Sequence, residues 1–280
     1  MNYIDAHAHV WTSDTIHYPL AKGYKKEDMR PASFTADDLL KHAKPAGVSR
    51  VNLIQMSYYG FDNSYMTDMI GAHKGVFRGT AVIDPEGDDP AKAMADLAKK
   101  GVRAFRILPR LTKAPIAKWL EPAGYGKMFA QAARANQAMS CLIDPDALPD
   151  LDRMCRKYPG APVIIDHLAR IGVSGSIDDK DVKALCAMAK HERVMVKVGA
   201  FYALGKKKAP HDDLAALIEQ VVKAFTPQRC MWESDSPFQV VDGHTYKASV
   251  ELVEKRLEFL DAAGREALLR KTAEKFFFPA

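Results

Sequence analysis

Eight short segments rich in apolar and β-branched residues recur along the chain, and most of them are nearly continuous hydrophobic runs. Such runs are typical of strands that are covered on both faces, as the strands of a parallel sheet are. The segments span residues 4–10, 50–56, 77–83, 102–108, 138–143, 162–167, 194–199 and 230–234. The pattern therefore predicts a sheet of eight parallel strands.

Amphipathic stretches with helix-ending residues lie between the predicted strands. Thr35 is a suitable N-cap for a stretch that stops at Gly47, and Asp89-Pro90 begins a second stretch that stops at Gly101. Further helices are predicted over residues 126–136, 148–158, 179–191, 212–225, 246–260 and 265–277. Strands that alternate with helices predict an α/β fold, a single (β/α)8 TIM barrel over residues 1–280. An open doubly wound sheet is the alternative, but no glycine-rich fingerprint follows the first strand.

Composition and charge agree with one large globular domain. The chain has 280 residues, of which 48% are hydrophobic and 27% are charged, and a TIM barrel needs about 250 residues. The formal net charge is +5, but lysine and arginine are spread along the chain, so we expect no nucleic-acid partner. Four distant cysteines suit reduced thiols, and no apolar run reaches the roughly 18 residues of a membrane span. We therefore expect a cytoplasmic protein without a membrane partner.

The first predicted strand ends in His7-Ala8-His9, which places two imidazoles on one face because residues i and i+2 of a strand project together. Barrel enzymes carry their chemistry at the C-terminal ends of the strands, so the other strand ends test this motif. The sixth strand ends at His167, and the eighth leads into Asp235. Taken singly, His167 fits a structural histidine and Asp235 fits a turn residue. Together the two histidines, His167 and Asp235 predict one site at the barrel mouth.

With these motifs the chain resembles the amidohydrolase superfamily, specifically its amidohydrolase-2 branch. Within that branch the order of features is similar to the lactonase group, whose members open 2-pyrone-4,6-dicarboxylate and sugar-acid lactones of the L-fucono and L-rhamnono type. The features are His7-Ala8-His9, Gln55-Met56-Ser57 leading to Asp62-Asn63, Gly79-Thr80-Ala81-Val82-Ile83-Asp84-Pro85, Gly101-Val102-Arg103-Ala104-Phe105-Arg106, Val163-Ile164-Ile165-Asp166-His167 and Ser234-Asp235-Ser236-Pro237. They span nearly the whole chain, and the resemblance implies a TIM barrel that hydrolyses a lactone.

The chain departs from the family pattern at several positions. Many superfamily members carry a carboxylated lysine or a glutamate on strand four, or a histidine on strand five, that completes a two-metal centre. Neither residues 102–108 nor residues 138–143 contain such a residue, so we do not expect a two-metal centre. The small residue usual before the strand-eight Ser-Asp pair is Glu233 here, and its role is left open. The asparagine usual near the family's C-terminus is missing from residues 271–275.

The resemblance implies that a water molecule is activated to attack the lactone carbonyl. Asp235 is the candidate general base that takes a proton from this water and later returns it to the leaving oxygen. The ligands of one zinc or manganese ion, which lowers the pKa of water towards about 7, would be His7, His9, His167 and Asp235. Lactonases of this group can also work without a divalent metal, and the histidines would then polarise the carbonyl as hydrogen-bond donors. The sequence leaves these two alternatives open.

Basic and aromatic residues near the strand ends predict a small anionic substrate. The resemblance implies that Arg106 binds a substrate carboxylate, for which the planar guanidinium is suited. Lys197 is expected to direct its charge to the pocket, as a substrate contact, or to a neighbouring acid. Lys206, Lys207 and Lys208 follow strand seven and are either a solvated face or a cluster that attracts an anionic substrate. The other candidates for substrate contact are Gln55, Tyr58 and Tyr202.

Three other functions share parts of this residue set. A metal-dependent decarboxylase of the same branch resembles the chain in the strand-one and strand-eight motifs and depends on a tightly held metal. A sugar-lactone isomerase needs the carbonyl-activating groups but no water. A barrel that only binds a ligand needs no catalytic group, but every polar group of the hydrolytic mechanism is present. The substrate itself, and whether copies of the chain form a homo-oligomer, are left open by the sequence.

Overall fold

The predicted hydrophobic segments form strands because their side chains are buried on both sides of one sheet. In the computed structural model, which describes residues 2–279, each strand pairs in parallel with the next one in the chain. The strands are β1 Tyr3–His9, β2 Val48–Ile54, β3 Phe77–Ala81, β4 Val102–Ile107, β5 Ala138–Cys141, β6 Val163–Ile165, β7 Val194–Gly199 and β8 Cys230–Glu233. All the predicted strands are present in this part of the chain, and their ends agree with the predicted ones to within two residues.

Hydrogen bonds between β1 and the segment after β8 close the sheet into a barrel. The backbone N–H of Asp235 donates to the carbonyl of His7 at 2.8 Å, and that of His9 donates to the carbonyl of Ser236 at 2.7 Å. Ala8 and Ser236 form a parallel bridge at the same place. The predicted (β/α)8 TIM barrel is therefore confirmed, and its closure brings the motifs at the ends of β1 and β8 side by side.

Helices surround the sheet, and two of them continue into wider π-helical turns. Over residues 2–279 the α-helices are α1 Ala36–Ala43, α2 Ser64–Ala72, α3 Pro90–Ala98, α4 Ala123–Ala135, α5 Leu148–Lys157, α6 Asp179–Ala187, α7 Ala215–Phe225, α8 Tyr246–Glu251, α9 Ala262–Glu266 and α10 Thr272–Phe277, and the π-helical segments are Leu252–Arg256 and Ala267–Lys271. The predicted N-cap is confirmed, because the Thr35 side chain accepts from the backbone N–H of Asp38. In the same range, every helix falls short of the length and hydropathy that a membrane-spanning helix requires.

Helix α2 differs from the expectation from the sequence, which placed no helix between β2 and β3. Serine, tyrosine, threonine and glycine give its nine residues a modest helix propensity. Tyr65, Met66 and Ile70 of this helix are buried in the core, so tertiary packing forms it. The predicted helices over residues 246–260 and 265–277 each contain a π-helical segment, which a 3.6-residue pattern does not reveal.

Two apolar clusters support the barrel from outside and from within. The larger cluster packs helices against the sheet and includes the fully buried Trp11, Trp119 and Trp232. The smaller cluster joins interior residues of the strands to aromatic residues at the C-terminus, and its members are Ile4, Ala6, Ala104, Ala138, Ile164, Met231, Ala273, Phe276, Phe277 and Phe278. This apolar layer fills the lower part of the barrel, so the polar interior residues gather at the C-terminal ends of the strands.

We expect Gly124→Ala to destabilise the fold, because a Cβ at this position would lie 1.5 Å from the carbonyl oxygen of Pro85. Gly71 in α2 provides the matched control, since a Cβ there would meet nothing within 4 Å. Replacing a helical glycine by alanine at such an open site should raise the free energy of unfolding by up to about 1 kcal/mol. Denaturant unfolding of both variants measures the difference, and equal stabilities would contradict the close approach of α4 to the loop after β3.

Candidate active site

A bulge in β1 turns the face that His7 and His9 share towards the barrel interior. In its register with β2, β1 carries one extra residue between Asp5 and Ala8. Asp5 and His7 would share a face in a regular strand, and a bulge separates them by re-aiming the side chains. Asp5 accepts a hydrogen bond from the hydroxyl of Tyr246 in α8, outside the sheet, whereas His7 contacts residues inside the barrel. The bulge thus lets both imidazoles converge on one point.

Three polar atoms from the ends of β1 and β8 form a compact triangle. The Nε2 atoms of His7 and His9 lie 3.2 Å apart, and Oδ1 of Asp235 lies 3.4 Å from the first and 3.3 Å from the second. All three side chains are buried. Oδ1 has no hydrogen-bond partner among the residues that the structure describes. The triangle is therefore open to a water molecule, a substrate atom or a cation.

Hydrogen bonds behind the triangle orient two of the histidine rings. His9 Nδ1 donates to the carbonyl of Ile54 at 3.0 Å. His167 Nδ1 donates to Oε1 of Glu233 at 2.6 Å. Each bond places the proton of the neutral ring on Nδ1, so the Nε2 atom is left for the site.

Asp235 is presented by a left-handed backbone conformation and oriented by a tyrosine. Its φ of 60° turns the chain directly after β8. The Tyr202 hydroxyl donates to Oδ2 at 2.7 Å, which leaves Oδ1 towards His7 and His9. Burial by itself would raise the pKa of Asp235, but the neighbouring His167 and His9 lower it. The carboxylate is therefore ionised at neutral pH and can act as a base.

His167 begins a left-handed turn that follows β6. The φ angles are 53° for His167, Leu168 and Ala169 and 57° for Arg170, and left-handed backbone costs roughly 1–2 kcal/mol for each residue other than glycine. Leu168 and Ala169 are fully buried, and Oε1 of Glu233 accepts from the backbone N–H of His167 at 3.1 Å. Packing and this hydrogen bond hold the turn, which aims the His167 ring into the site.

The histidines differ in their readiness to carry a proton. Burial lowers the pKa of His7 and of His9, and the Lys197 cation lowers that of His7 further. Burial acts in the same direction on His167, but the carboxylates of Glu233 and Asp235 outweigh it and raise the pKa of this ring. At neutral pH, His7 and His9 are therefore neutral, and His167 is the histidine best able to donate a proton.

Lys197 is fully buried beneath the site, where it pairs with an acid. Its Nζ lies 2.9 Å from Oδ1 of Asp166 and 3.0 Å from Nδ1 of His7, and its exposed fraction is 0%. Burial by itself would raise the pKa of Asp166, but the charges of Lys197 and Arg106 lower it to about 2. Of the two directions expected for the Lys197 charge, the structure places it towards the acid and outside the cavity lining.

A cavity of about 610 Å³ opens above the triangle. The predicted site residues that line it are His9, Gln55, Arg106, His167, Tyr202 and Asp235. Tyr58 lies outside the lining, because its hydroxyl donates to the carbonyl of Asp28 at 3.1 Å and its ring packs against Trp11 and Tyr24. The cluster of Lys206, Lys207 and Lys208 is exposed and also lies outside the lining.

Several residues of the site were not found by sequence reasoning. Arg110 and Arg170 line the cavity and follow the ends of β4 and β6, where a search of the loops for basic residues would find them. Asp166 and His167 are adjacent, and a regular strand would face only one of them inward. The left-handed turn lets both side chains face the barrel interior, and no local sequence pattern predicts such a turn. Lys22 lines the cavity from the long loop after β1, which the sequence indicated only as a loop on the catalytic face that could cover the pocket.

Comparison with known proteins relates this architecture to one family. A family model described as Amidohydrolase matches residues 4–278. L-fucono-1,5-lactonase of Burkholderia ambifaria is 26% identical over 249 residues, which cover 86% of this chain and 82% of that protein. 4-Sulfomuconolactone hydrolase of Rhizobium radiobacter is 25% identical over 235 residues, which cover 83% of this chain and 75% of that protein. The predicted resemblance to the amidohydrolases is confirmed.

A solved structure shares the fold over the whole length. It is an amidohydrolase from Burkholderia multivorans with bound zinc, and it superposes with a TM-score of 0.83 at 20% identity. The superposition covers 99% of this chain and 99% of that chain. At this identity the likeness establishes the barrel and the order of its elements.

We expect Lys197→Met to lower the free energy of unfolding by about 3–5 kcal/mol, because it leaves the buried charge of Asp166 without its main partner. The double variant Lys197→Met with Asp166→Asn removes both charges and should recover most of this loss. Lys183→Met, at an exposed position of α6, is the control. Denaturant unfolding measures all three variants. A single variant as stable as the double one would show that Asp166 does not need Lys197.

Proposed function

Because this chain belongs to the amidohydrolase family, we propose that it is an enzyme that opens a small carboxylated lactone with water. The observation that carries the proposal is Oδ1 of Asp235, which has no hydrogen-bond partner in residues 2–279 and is buried next to the Nε2 atoms of His7 and His9. The named relatives support it, since one is a lactonase and the other is a lactone hydrolase. They do not favour the decarboxylase or the isomerase that the sequence left as alternatives.

Asp235 carries the proton transfers of the proposed reaction. Its Oδ1 takes a proton from water while the water oxygen attacks the carbonyl carbon, and Tyr202 holds Oδ2 in place. His167, whose Nε2 lies 3.9 Å from Oδ2 of Asp235, is positioned to donate to the carbonyl oxygen as negative charge develops there. The bond from the carbonyl carbon to the ring oxygen then breaks. Asp235 returns its proton to that oxygen, and the product is a hydroxy acid.

One divalent metal ion fits the triangle formed by His7 Nε2, His9 Nε2 and Asp235 Oδ1. Ligand atoms about 2.1 Å from a tetrahedral metal lie about 3.4 Å from one another, and the distances here are 3.2, 3.3 and 3.4 Å. The two neutral rings and the unpaired carboxylate oxygen also suit a cation. Zinc and manganese both accept this set of ligand atoms. When bound, the ion would polarise the carbonyl or lower the pKa of the attacking water.

The charges around the cavity support an anionic substrate. The cations that line it are Lys22, Arg106, Arg110 and Arg170. Two of them pair with acids, Arg170 with Asp144 at 2.9 Å and Arg106 with Asp166 at 3.5 Å. A cavity of about 610 Å³ suits a single substituted ring. We therefore propose a sugar-acid lactone or a pyrone carboxylate as substrate, with Arg106 and Gln55 among its contacts. A cytoplasmic location without nucleic-acid or membrane partners stays a prediction.

We expect Asp235→Asn to lower kcat by about 100- to 10,000-fold, because an amide cannot accept the proton of the attacking water. Asp37→Asn, at an exposed position of α1, is the matched control and should retain full activity. The assay follows acid release with a pH indicator over a panel of sugar-acid lactones and pyrone carboxylates. Unchanged turnover in Asp235→Asn would contradict the role of this residue. A wild-type protein that opens no lactone of the panel would contradict the proposed function.

We expect the metal-stripped protein to take up one zinc ion, and His9→Gln to weaken this binding by at least about 100-fold, because it removes a ligand of the triangle. His17→Gln is the control, since the His17 side chain is 78% exposed, pairs with Asp14 and lies outside the cavity lining. Competition with a chromophoric chelator measures both affinities. Equal affinities in the two variants would show that the triangle is not the zinc site.

A further inference from the structure

A groove lined by cations lies outside the barrel, at the end of the strands opposite the candidate active site. It runs between the C-terminal ends of α2 and α3, over the first residues of β3 and β4, and its volume is about 670 Å³. The cations of its lining are Lys74, Arg78, Lys99, Lys100 and Arg103. Within residues 2–279, the groove shares no lining residue with the active-site cavity. It is therefore separate from the lactone and the metal of the proposed function.

Acidic residues balance little of the charge in this groove. Asp96 pairs with Lys99 at 2.9 Å. Asp68 is the acidic residue of the lining, and its Oδ2 accepts a hydrogen bond from the Tyr18 hydroxyl at 2.9 Å. Among residues 2–279, no carboxylate oxygen lies within 4 Å of the side-chain nitrogens of the other cations, which are Lys74, Arg78, Lys100 and Arg103.

Arg103 contributes a partly buried charge to the floor of the groove. Strand residues alternate between two faces, and Ala104 belongs to the cluster inside the barrel, so Arg103 faces outward. Its Nε is buried and has no hydrogen-bond partner in the described chain. Burial and the neighbouring charge of Arg78 both lower the pKa of the Arg103 guanidinium. Arginine stays protonated in proteins, so these two like charges remain side by side.

Neutral groups hold Arg78 in place. Its Nη1 donates to the carbonyl of Phe77 at 3.0 Å, and its Cζ lies 5.3 Å from the centre of the Phe278 ring. A carbonyl and an aromatic face attract a cation, but neither carries a negative charge. Arg78 therefore keeps its full charge beside Arg103.

The ends of the helices account for only part of the positive charge. Lys74 follows the end of α2, and Lys99 and Lys100 follow the end of α3, where cations interact favourably with the last helical carbonyls. Arg78 and Arg103 lie on strands, so no helix dipole explains them. Like charges that are held together and partly removed from water are unfavourable unless an anion meets them.

We propose that this groove binds the phosphate group of a small anionic ligand, with Arg78 and Arg103 at the floor of the site. The planar guanidinium groups match the oxygens of a phosphate with paired hydrogen bonds. Lys74 and Lys100 are exposed at the rim and add charge that attracts the ligand. A volume of about 670 Å³ is that of a small-molecule site, so the phosphate can be free or part of a phosphoester.

Gly71→Glu tests the proposal without removing a cation. Gly71 lies in α2 and lines the groove, and a Cβ there would meet nothing within 4 Å. Glutamate is a better helix former than glycine, so the variant should fold. Its carboxylate should pair with the cations and exclude the phosphate. Gly71→Gln has nearly the same shape without the charge and is the matched control.

We expect inorganic phosphate to bind Gly71→Glu at least about 10-fold more weakly than Gly71→Gln, measured by titration calorimetry at constant ionic strength, because charge-assisted contacts are lost. Glycerol phosphate is the second probe. Tighter binding of the ester would indicate a phosphorylated small molecule as the ligand, and tighter binding of inorganic phosphate would indicate the free ion. Equal phosphate affinities in the two variants would overturn the proposal.

A second measurement locates the bound phosphate, because the cations of the active-site cavity also attract anions. Correlation spectra of the arginine Nε–H groups should show that phosphate shifts the Arg103 signal of the wild type, which is assigned by its loss in Arg103→Lys. Chloride at the same ionic strength should leave this signal in place. An Arg103 signal that phosphate and chloride move equally would contradict a phosphate site. If Gly71→Glu does not fold, the wild-type spectrum decides. Neither measurement uses a lactone, so the result is independent of the proposed function.

Discussion

The barrel mouth depends on one constraint, which is that charges removed from water must meet opposite charges, hydrogen-bond donors or a bound cation. The carboxylates of Asp166, Glu233 and Asp235 are buried beside the Lys197 cation, and Arg106 reaches Asp166 from the cavity lining. Three negative groups therefore face two positive ones. The remaining negative charge is balanced by a proton on His167, whose pKa the carboxylates of Glu233 and Asp235 raise, or by a metal ion in the triangle at the ends of β1 and β8.

Because of the same constraint, the strands that close the sheet also hold the groups of the proposed reaction. Outside the barrel, Asp5 accepts from the backbone N–H of Ser234 at 2.9 Å and from the Tyr246 hydroxyl at 2.6 Å, which fastens β1 to the end of β8. Inside the barrel, Glu233 reaches across to His7 and His167. The strands that close the sheet are thus the strands that carry the reacting groups, and a shift in their register would separate His7 from Asp235.

The sequence predicted the barrel and the residues at its strand ends because both follow from simple regularities. Buried parallel strands have continuous apolar runs, and closure brings His7, His9, His167 and Asp235 to one rim. The bulge in β1 and the left-handed turn after β6 could not be predicted, since packing imposes them against local preference. For the same reason the sequence left the direction of Lys197 open and predicted a substrate contact for Tyr58, whose side chain packs outside the cavity lining. Either side chain could face the cavity or a buried partner, and the direction that it takes depends on packing in the complete core.

The left-handed turn from His167 to Arg170 has a consequence for the order in which the site is assembled. An isolated peptide of this sequence would not adopt four consecutive left-handed residues, because each of them is unfavourable without its surroundings. The surroundings are the buried packing of Leu168 and Ala169 and the bond from His167 to Glu233, which lies on β8. The position of His167 therefore depends on β8 as well as on β6, so a barrel without its last strand in place lacks the hydrogen bond that holds this histidine in the site.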